Sequence, residues 1–194
     1  MSDALTDDQA REHNRVYQRG WELIKGELLI ADRTPSRGPG WLARRRLRQA
    51  IECFDAALKI APQGWQSLWA MGKIHQRLGE LPEALGCFAR AHQLQPSQPD
   101  VAREAGIAAS DMGDGPAAVR FTRAAIASKP EDAGLVSNLA LALLISGEIE
   151  QAKTAAAEAH ARAPDDPITR TVHRIVDEVA EGKRPRPKTV RELF

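Results

Sequence analysis

Apolar and small residues recur along this chain at the spacing of one helical face, in segment after segment. Leu68, Met71, Gly72 and His75 make one such stripe, as expected of a helix that buries one side. Gly79 follows, where a glycine can take the left-handed conformation that ends a helix. Pro82 then sits where a second helix opens and a missing N–H costs little. Ala84, Phe88 and Ala91 form the inner stripe of that second helix, and Pro96 stops it. The alanines allow close approach. The pattern predicts a pair of helices joined by a tight turn.

The pair repeats. At a step of thirty-four residues, Gly72 maps to Gly106 and Ala140, and Gly79 to Gly113 and Gly147. Ala84 maps to Ala118 and Ala152, Ala91 to Ala125 and Ala159, and Pro96 to Pro130 and Pro164. Fixed-period self-similarity of this length is the mark of a stacked-repeat architecture. Stepping backward, Ala50, Phe54, Ala57 and Pro62 match Ala84, Phe88, Ala91 and Pro96, while Arg45 stands where a turn glycine is expected. A second helix of an earlier unit is therefore expected at about 42–61.

A thirty-four-residue period carrying Leu68, Gly72, Ala84, Phe88, Ala91 and Pro96 resembles the tetratricopeptide repeat. The resemblance implies an all-α, right-handed superhelix, an α-solenoid of helix–turn–helix repeats. It divides the chain into an atypical unit at 1–64 with an inserted loop at about 29–41, and complete units at 65–98, 99–132 and 133–166. Val16, Tyr17, Gly20, Trp21, Leu23 and Ile24 read as the first helix of the atypical unit. Ile168, Val172, Ile175, Val176 and Val179 share one face and predict a capping helix within 167–182. A basic tail follows at 183–194. His75 and Ala109 replace a large aromatic of the family's pattern, and Thr122 and Ala156 replace the aromatic at Phe88, which points to looser packing.

Composition narrows the class. The 194 residues are 43% hydrophobic but only 5% aromatic, favouring closely packed helices over a β-sandwich. The start, "MSDALTDDQAREHNRVYQRG", has acidic residues where a secretory signal needs a basic region and an apolar run, and "LVSNLALALLISG" is too short to cross a bilayer. A cytoplasmic, membrane-free protein is expected. A net charge of +1 gives no general attraction to nucleic acid. Cys53 and Cys87 occupy equivalent repeat positions, about a helix-pair spacing apart, and are expected as free thiols.

Residue types suggestive of catalysis have structural explanations. In "MGKIHQRLGE", His75 lies on the buried stripe and its repeat counterparts are Ala109 and Leu143, so a packed histidine satisfied by a polar neighbour is expected. Glu80 reads as a turn residue. "GDGPAA" resembles a fragment of a dinucleotide loop, but no strand precedes it and the period accounts for Gly113. His13, His92, His160 and His173 are scattered without metal-ligand spacing. No P-loop, Ser–His–Asp elbow or paired-carboxylate motif occurs. Catalytic residues, cofactors and metals are not expected. Arg44, Arg45, Arg46 and Arg48 open a helix and form either a phosphate-binding patch or a solvated face. Trp65 reads as packing between units; Trp69 suits packing and a peptide anchor equally.

The family resemblance implies that first helices line a concave groove. Removing the buried stripe leaves Gln66, Trp69, Lys73 and Arg77, then Arg103, Glu104 and Ile107, then Asn138, Leu141 and Leu144 as its candidate partner-binding residues. Lys73 and Asn138 would suit an acidic chaperone tail, but Glu104 and Leu141 stand where polar or positive groups are needed, so that partner is rejected. The apolar end, with Ile145, suits an amphipathic helix or apolar peptide, unless the chain's own termini bury it. The expected function is a non-enzymatic adaptor or scaffold binding a protein or peptide; the alternative is a self-associating homo-oligomer. In the tail, Val190, Leu193 and Phe194 share a helical face, and the segment either frays or docks on the Leu141, Leu144 and Ile145 surface.

Overall fold

The computed structural model describes residues 5–27 and 38–193. Most of the expected loop, and Phe194, lie outside them. All regular structure among the described residues is helical. The chain divides into two compact units, one ending at Leu94 and the other beginning at Gln95.

The first unit contains α1 (Asp7–Ile24), α2 (Trp41–Ile60), α3 (Trp65–Leu78) and α4 (Leu81–Leu94), each packed against the next. Thr6 starts α1 with a capping box: its hydroxyl accepts from the Gln9 N–H, and the Gln9 side chain accepts from the Thr6 N–H. The core joins Ile24, Leu47, Phe54, Ile74 and Leu78, flanked by Tyr17, Trp21 and Trp69.

One contact sets how closely each pair packs. A Cβ placed on Gly72 of α3 would lie 2.5 Å from Phe88 of α4, and one on Gly20 of α1 would lie 2.9 Å from Phe54 of α2. Glycine is required at both positions because the phenyl ring fills the side-chain space. Phe54 lies thirty-four residues after Gly20, whereas Phe88 lies sixteen after Gly72, so the first pair carries eighteen extra residues between its contact positions. This explains Arg45. It is inside α2, and the left-handed glycine that follows α1 is Gly26, at φ 82°.

The second unit contains α5 (Pro99–Met112), α6 (Gly115–Ser128), α7 (Ala133–Ser146), α8 (Ile149–Arg162) and α9 (Pro167–Ala180), then a short 3-10 turn at Val190–Glu192. Asp114, Asp132 and Asp166 cap α6, α7 and α9 by accepting from backbone N–H groups. Gly113 and Gly147 end α5 and α7 in the left-handed conformation, as Gly79 ends α3. Here the contact column changes size. A Cβ on Gly106 would lie 2.6 Å from the Thr122 hydroxyl, and the corresponding positions in the next pair are Ala140 and Ala156, both fully buried. In the last pair the smaller Ala156 on the second helix goes with a larger residue, Ala140, on the first, whereas Thr122 goes with glycine and is buried against it.

Helix α7 is apolar on nearly every side because α5, α6, α8 and α9 all pack on it. From α9, Val172, Ile175, Val176 and Val179 are buried, while Arg170 and Arg174 stay in solvent. Helix α9 thus lies within the 167–182 segment and packs on α7 and α8.

Gly72→Leu is expected to lower stability by about 1–3 kcal/mol through overpacking, read as a fall in melting temperature of several degrees. Adding Phe88→Ala should recover part of the loss by vacating the ring's space. An unchanged melting temperature in the single variant would contradict the close contact.

Candidate partner-binding surface

In the first unit, aromatic rings form a continuous array where α1, α2 and α3 meet. Tyr17 and Trp21 stand edge-on to Phe54, at centroid distances of 5.8 and 5.7 Å, and Trp21 lies 6.4 Å from Trp69. Trp69 is therefore half-buried against Trp21, which gives it a packing role with one part of the ring still accessible. On the same helix Gln66 is exposed, and Lys73 and Arg77 are partly exposed.

His75 is buried, and its Nδ1–H donates to Glu80 Oε2 at 2.8 Å. Arg48 Nη1 on α2 donates to the same carboxylate at 3.0 Å. Burial pushes the Glu80 carboxyl up, but the hydrogen bonds from His75 and Arg48 outweigh it and hold the group below its ordinary value. The polar neighbour expected for His75 is thus the turn residue itself, which ties α2 to the α3–α4 turn. Two further arginines of α2 are engaged: Arg46 bonds to Glu27 at 2.7 Å and Arg44 to the Pro39 carbonyl at 3.0 Å. Arg44, Arg46 and Arg48 are thus held by neighbouring oxygens within the protein.

In the second unit, Arg103 lies 3.4 Å from Glu104 and 3.9 Å from Asp100, and Arg103, Ile107 and Asn138 are each partly exposed. The expected exposure of three groove residues does not hold. Glu104 is 6% exposed, Leu141 7% and Leu144 0%. The helices packed around α7 take up its apolar side chains, so Leu141, Leu144 and Ile145 form core.

The basic tail docks rather than frays, but its acceptor is the C-terminal ends of α5 and α7, not the Leu141, Leu144 and Ile145 side chains. Arg186 Nη1 donates to the Ile145 carbonyl at 2.9 Å, and Arg191 Nη2 lies 3.5 Å from Asp111 Oδ2.

"GDGPAA" also resolves by packing. Gly113 ends α5, and a Cβ on Gly115 would lie 2.6 Å from the Ser146 backbone, so Gly115 permits α6 to start against the end of α7. One juxtaposition the sequence did not reveal is His160 with His173. Their rings stack at 5.2 Å, and His173 Nε2 is 3.6 Å from Asp177 Oδ2. Thirteen residues and an interhelix turn separate the two histidines in sequence, so no local spacing marked them. Among the described residues no three His, Cys, Asp or Glu side chains are grouped to hold a metal ion, and no helix is long and apolar enough to cross a membrane. Cys53 and Cys87 are unpaired.

Matches to the tetratricopeptide repeat profile cover residues 41–99 and 103–167, more than half of the chain, and the chain belongs to that family. A 61-residue segment is 31% identical to the transcription factor tau 131 kDa subunit of Saccharomyces cerevisiae; it is 31% of this chain and 6% of that protein. Among solved structures, MamA superposes with a TM-score of 0.72 at 16% identity, covering 89% of this chain and 84% of its own. YrrB, described as a TPR protein with an unusual peptide-binding site, superposes at 0.67 with 14% identity, covering 95% and 87%. At these identities the likeness is one of fold.

Replacing Glu80 with Gln should cost about 1 kcal/mol near neutral pH, the value of a charge-assisted hydrogen bond discounted for partial exposure. Because the folded-state value of Glu80 is depressed, its contribution is complete above the ordinary 4.5 and is lost as pH falls through the lowered value. Denaturant titrations of both proteins should diverge at pH 7 and converge at acidic pH. A constant difference would rule out the ionised carboxylate as the cause.

Burial pushes the Cys87 thiol up to about 11, and raises Cys53 as well. Alkylation proceeds through the thiolate, so Cys87 in the native protein should react faster by about tenfold per pH unit up to that value. Mass spectrometry of the labelled protein should find Cys53 modified first at pH 8. Both thiols should titrate after unfolding without reductant.

Proposed function

We infer that this chain is a non-enzymatic protein-interaction scaffold that binds a peptide or helix of a partner protein through exposed side chains of its first helices. The observation that carries the reading is a division of labour along those helices. Gly20, Gly72, Gly106 and Ala140 turn inward against second helices, while Gln66, Lys73, Arg103, Ile107 and Asn138 retain exposure on other faces. Side chains of this kind, on rigid helices, suit recognition of an extended or helical segment. The peptide-binding site attributed to YrrB on the same fold supports the class.

The residues proposed to contact the partner are Gln66, Trp69, Lys73 and Arg77 in the first unit, and Arg103, Ile107 and Asn138 in the second. Glu104, Leu141 and Leu144 are buried and are left out of these contacts. Self-association through Leu141, Leu144 and Ile145 has less to support it, since those side chains are buried within one chain.

The test is affinity capture from the native host, then binding measurements with each identified protein on purified variants. Arg103→Ala with Asn138→Ala should weaken binding by about tenfold or more with helicity unchanged. A partner that binds the double variant as tightly as the parent chain does not use this surface. A mass in solution equal to two copies would favour the oligomeric reading.

A further inference from the structure

After α9 the chain reverses at Gly182, φ 72°, and Arg184 Nε pairs with Glu178 at 3.2 Å. The segment then runs back to α7 and α5. Besides its bond to the Ile145 carbonyl, Arg186 lies across Gly147: a Cβ there would be 2.9 Å from its Nη1. The carbonyls in the last turn of a helix lack intrahelical partners and carry the negative end of its dipole, so a guanidinium is matched to that position. Pro187 is buried. The Lys188 backbone passes over Gly113, where a Cβ would lie 2.7 Å from the Lys188 carbonyl. Lys188 N–H donates to Glu192 at 3.0 Å, closing a turn that places Arg191 beside Asp111.

Two features characterise this contact. The receiving surface is specific: two helix ends with glycine at each crossing, one open carbonyl and one half-sheltered carboxylate. The docked segment buries few side chains. Pro187 is buried and Val190 and Leu193 are half-buried, while Lys183, Arg186, Lys188 and Arg191 remain largely in solvent. Pro185 and Pro187 also restrict the free segment to extended conformations, which lowers the entropy lost on docking. Such a segment stays in place because tethering supplies an effective concentration on the order of millimolar.

We propose that the C-terminal ends of α5 and α7 form a recognition site for an extended, basic, proline-containing peptide, with residues 184–193 of this chain as its resident and displaceable ligand. The proposal rests on the reading of the chain as a peptide-binding scaffold and adds the ligand's chemistry. Asp111 belongs to α5, so the tail covers one end of a first helix already assigned to partner binding, and displacement would uncover it.

The test uses the full chain and a labelled synthetic peptide, KRPRPKTVRELF. Arg186→Ala with Arg191→Ala should release the resident segment, and fluorescence anisotropy should then find the peptide bound at least about tenfold more tightly than by the unaltered chain. Adding Asp111→Lys should abolish that gain. Equal affinity for the unaltered and double-variant chains, no binding up to millimolar peptide, or a gain insensitive to Asp111→Lys would overturn the proposal. Should the double variant fold poorly, hydrogen exchange on the unaltered chain decides: excess peptide should speed exchange of amides 184–193, and unchanged exchange would refute displacement. Conversion of a dimer to a monomer by the double substitution would assign the docked tail to a second copy, against the proposal. If the peptide fails but a captured partner still depends on Arg103 and Asn138, the scaffold reading stands and only the tail site falls.

Discussion

The separation between paired helices is the constraint on which this fold depends. Two helices approach closely where one of the facing side chains at the crossing is small, and here the matched residues change along the chain. Gly20 faces Phe54, Gly72 faces Phe88 and Gly106 faces Thr122. Where the first helix has Ala140, the second has Ala156. A methyl added at the first three positions meets a ring or hydroxyl at under 3 Å, and a close-packed interior has no spare room to absorb it. The remaining positions can vary widely once this one is satisfied, which is why charged and polar residues are free to differ along the outer faces.

The second unit adds a different requirement, because a repeat array must end. Helix α7 is apolar around most of its circumference and would present that surface to water without α9. Each fully buried leucine or isoleucine there contributes about 2 kcal/mol relative to exposure. Apolarity that reads, on a single helix, as a site for a partner is here the means by which the array closes on itself. The polar tail then deals with what apolar packing leaves behind, an open carbonyl at Ile145.

The helix pairs were legible because their causes are local: a glycine at each turn, a proline at each start or stop, and a stripe at helical spacing. The period survived even where aromatic positions had shrunk, because small residues such as Ala84 and Ala118 are as strongly constrained as large ones. Gly20 was placed on a helix, but its pairing with Phe54 was hidden by the insertion, which moved the partner away from the regular offset. The surface was harder to read. Periodicity tells which side of a helix faces its mate but not what else arrives on the other sides, so the burial of Leu141 and Leu144 was not legible in it. His75 could be judged from its repeat counterparts, whereas its partner Glu80 serves a tertiary contact with Arg48 that no spacing encodes.

The graded contact column has a consequence for how such arrays can change over time. Since each crossing divides its volume between two helices, a single helix is not an interchangeable part. Moving α8 beside α3 would leave a hollow where Phe88 stood, and moving α4 beside α7 would drive a phenyl ring into Ala140. The smallest piece that can be duplicated, deleted or transplanted without repair is therefore the matched pair, and recombination that joins chains inside a pair would be purged while recombination between pairs survives.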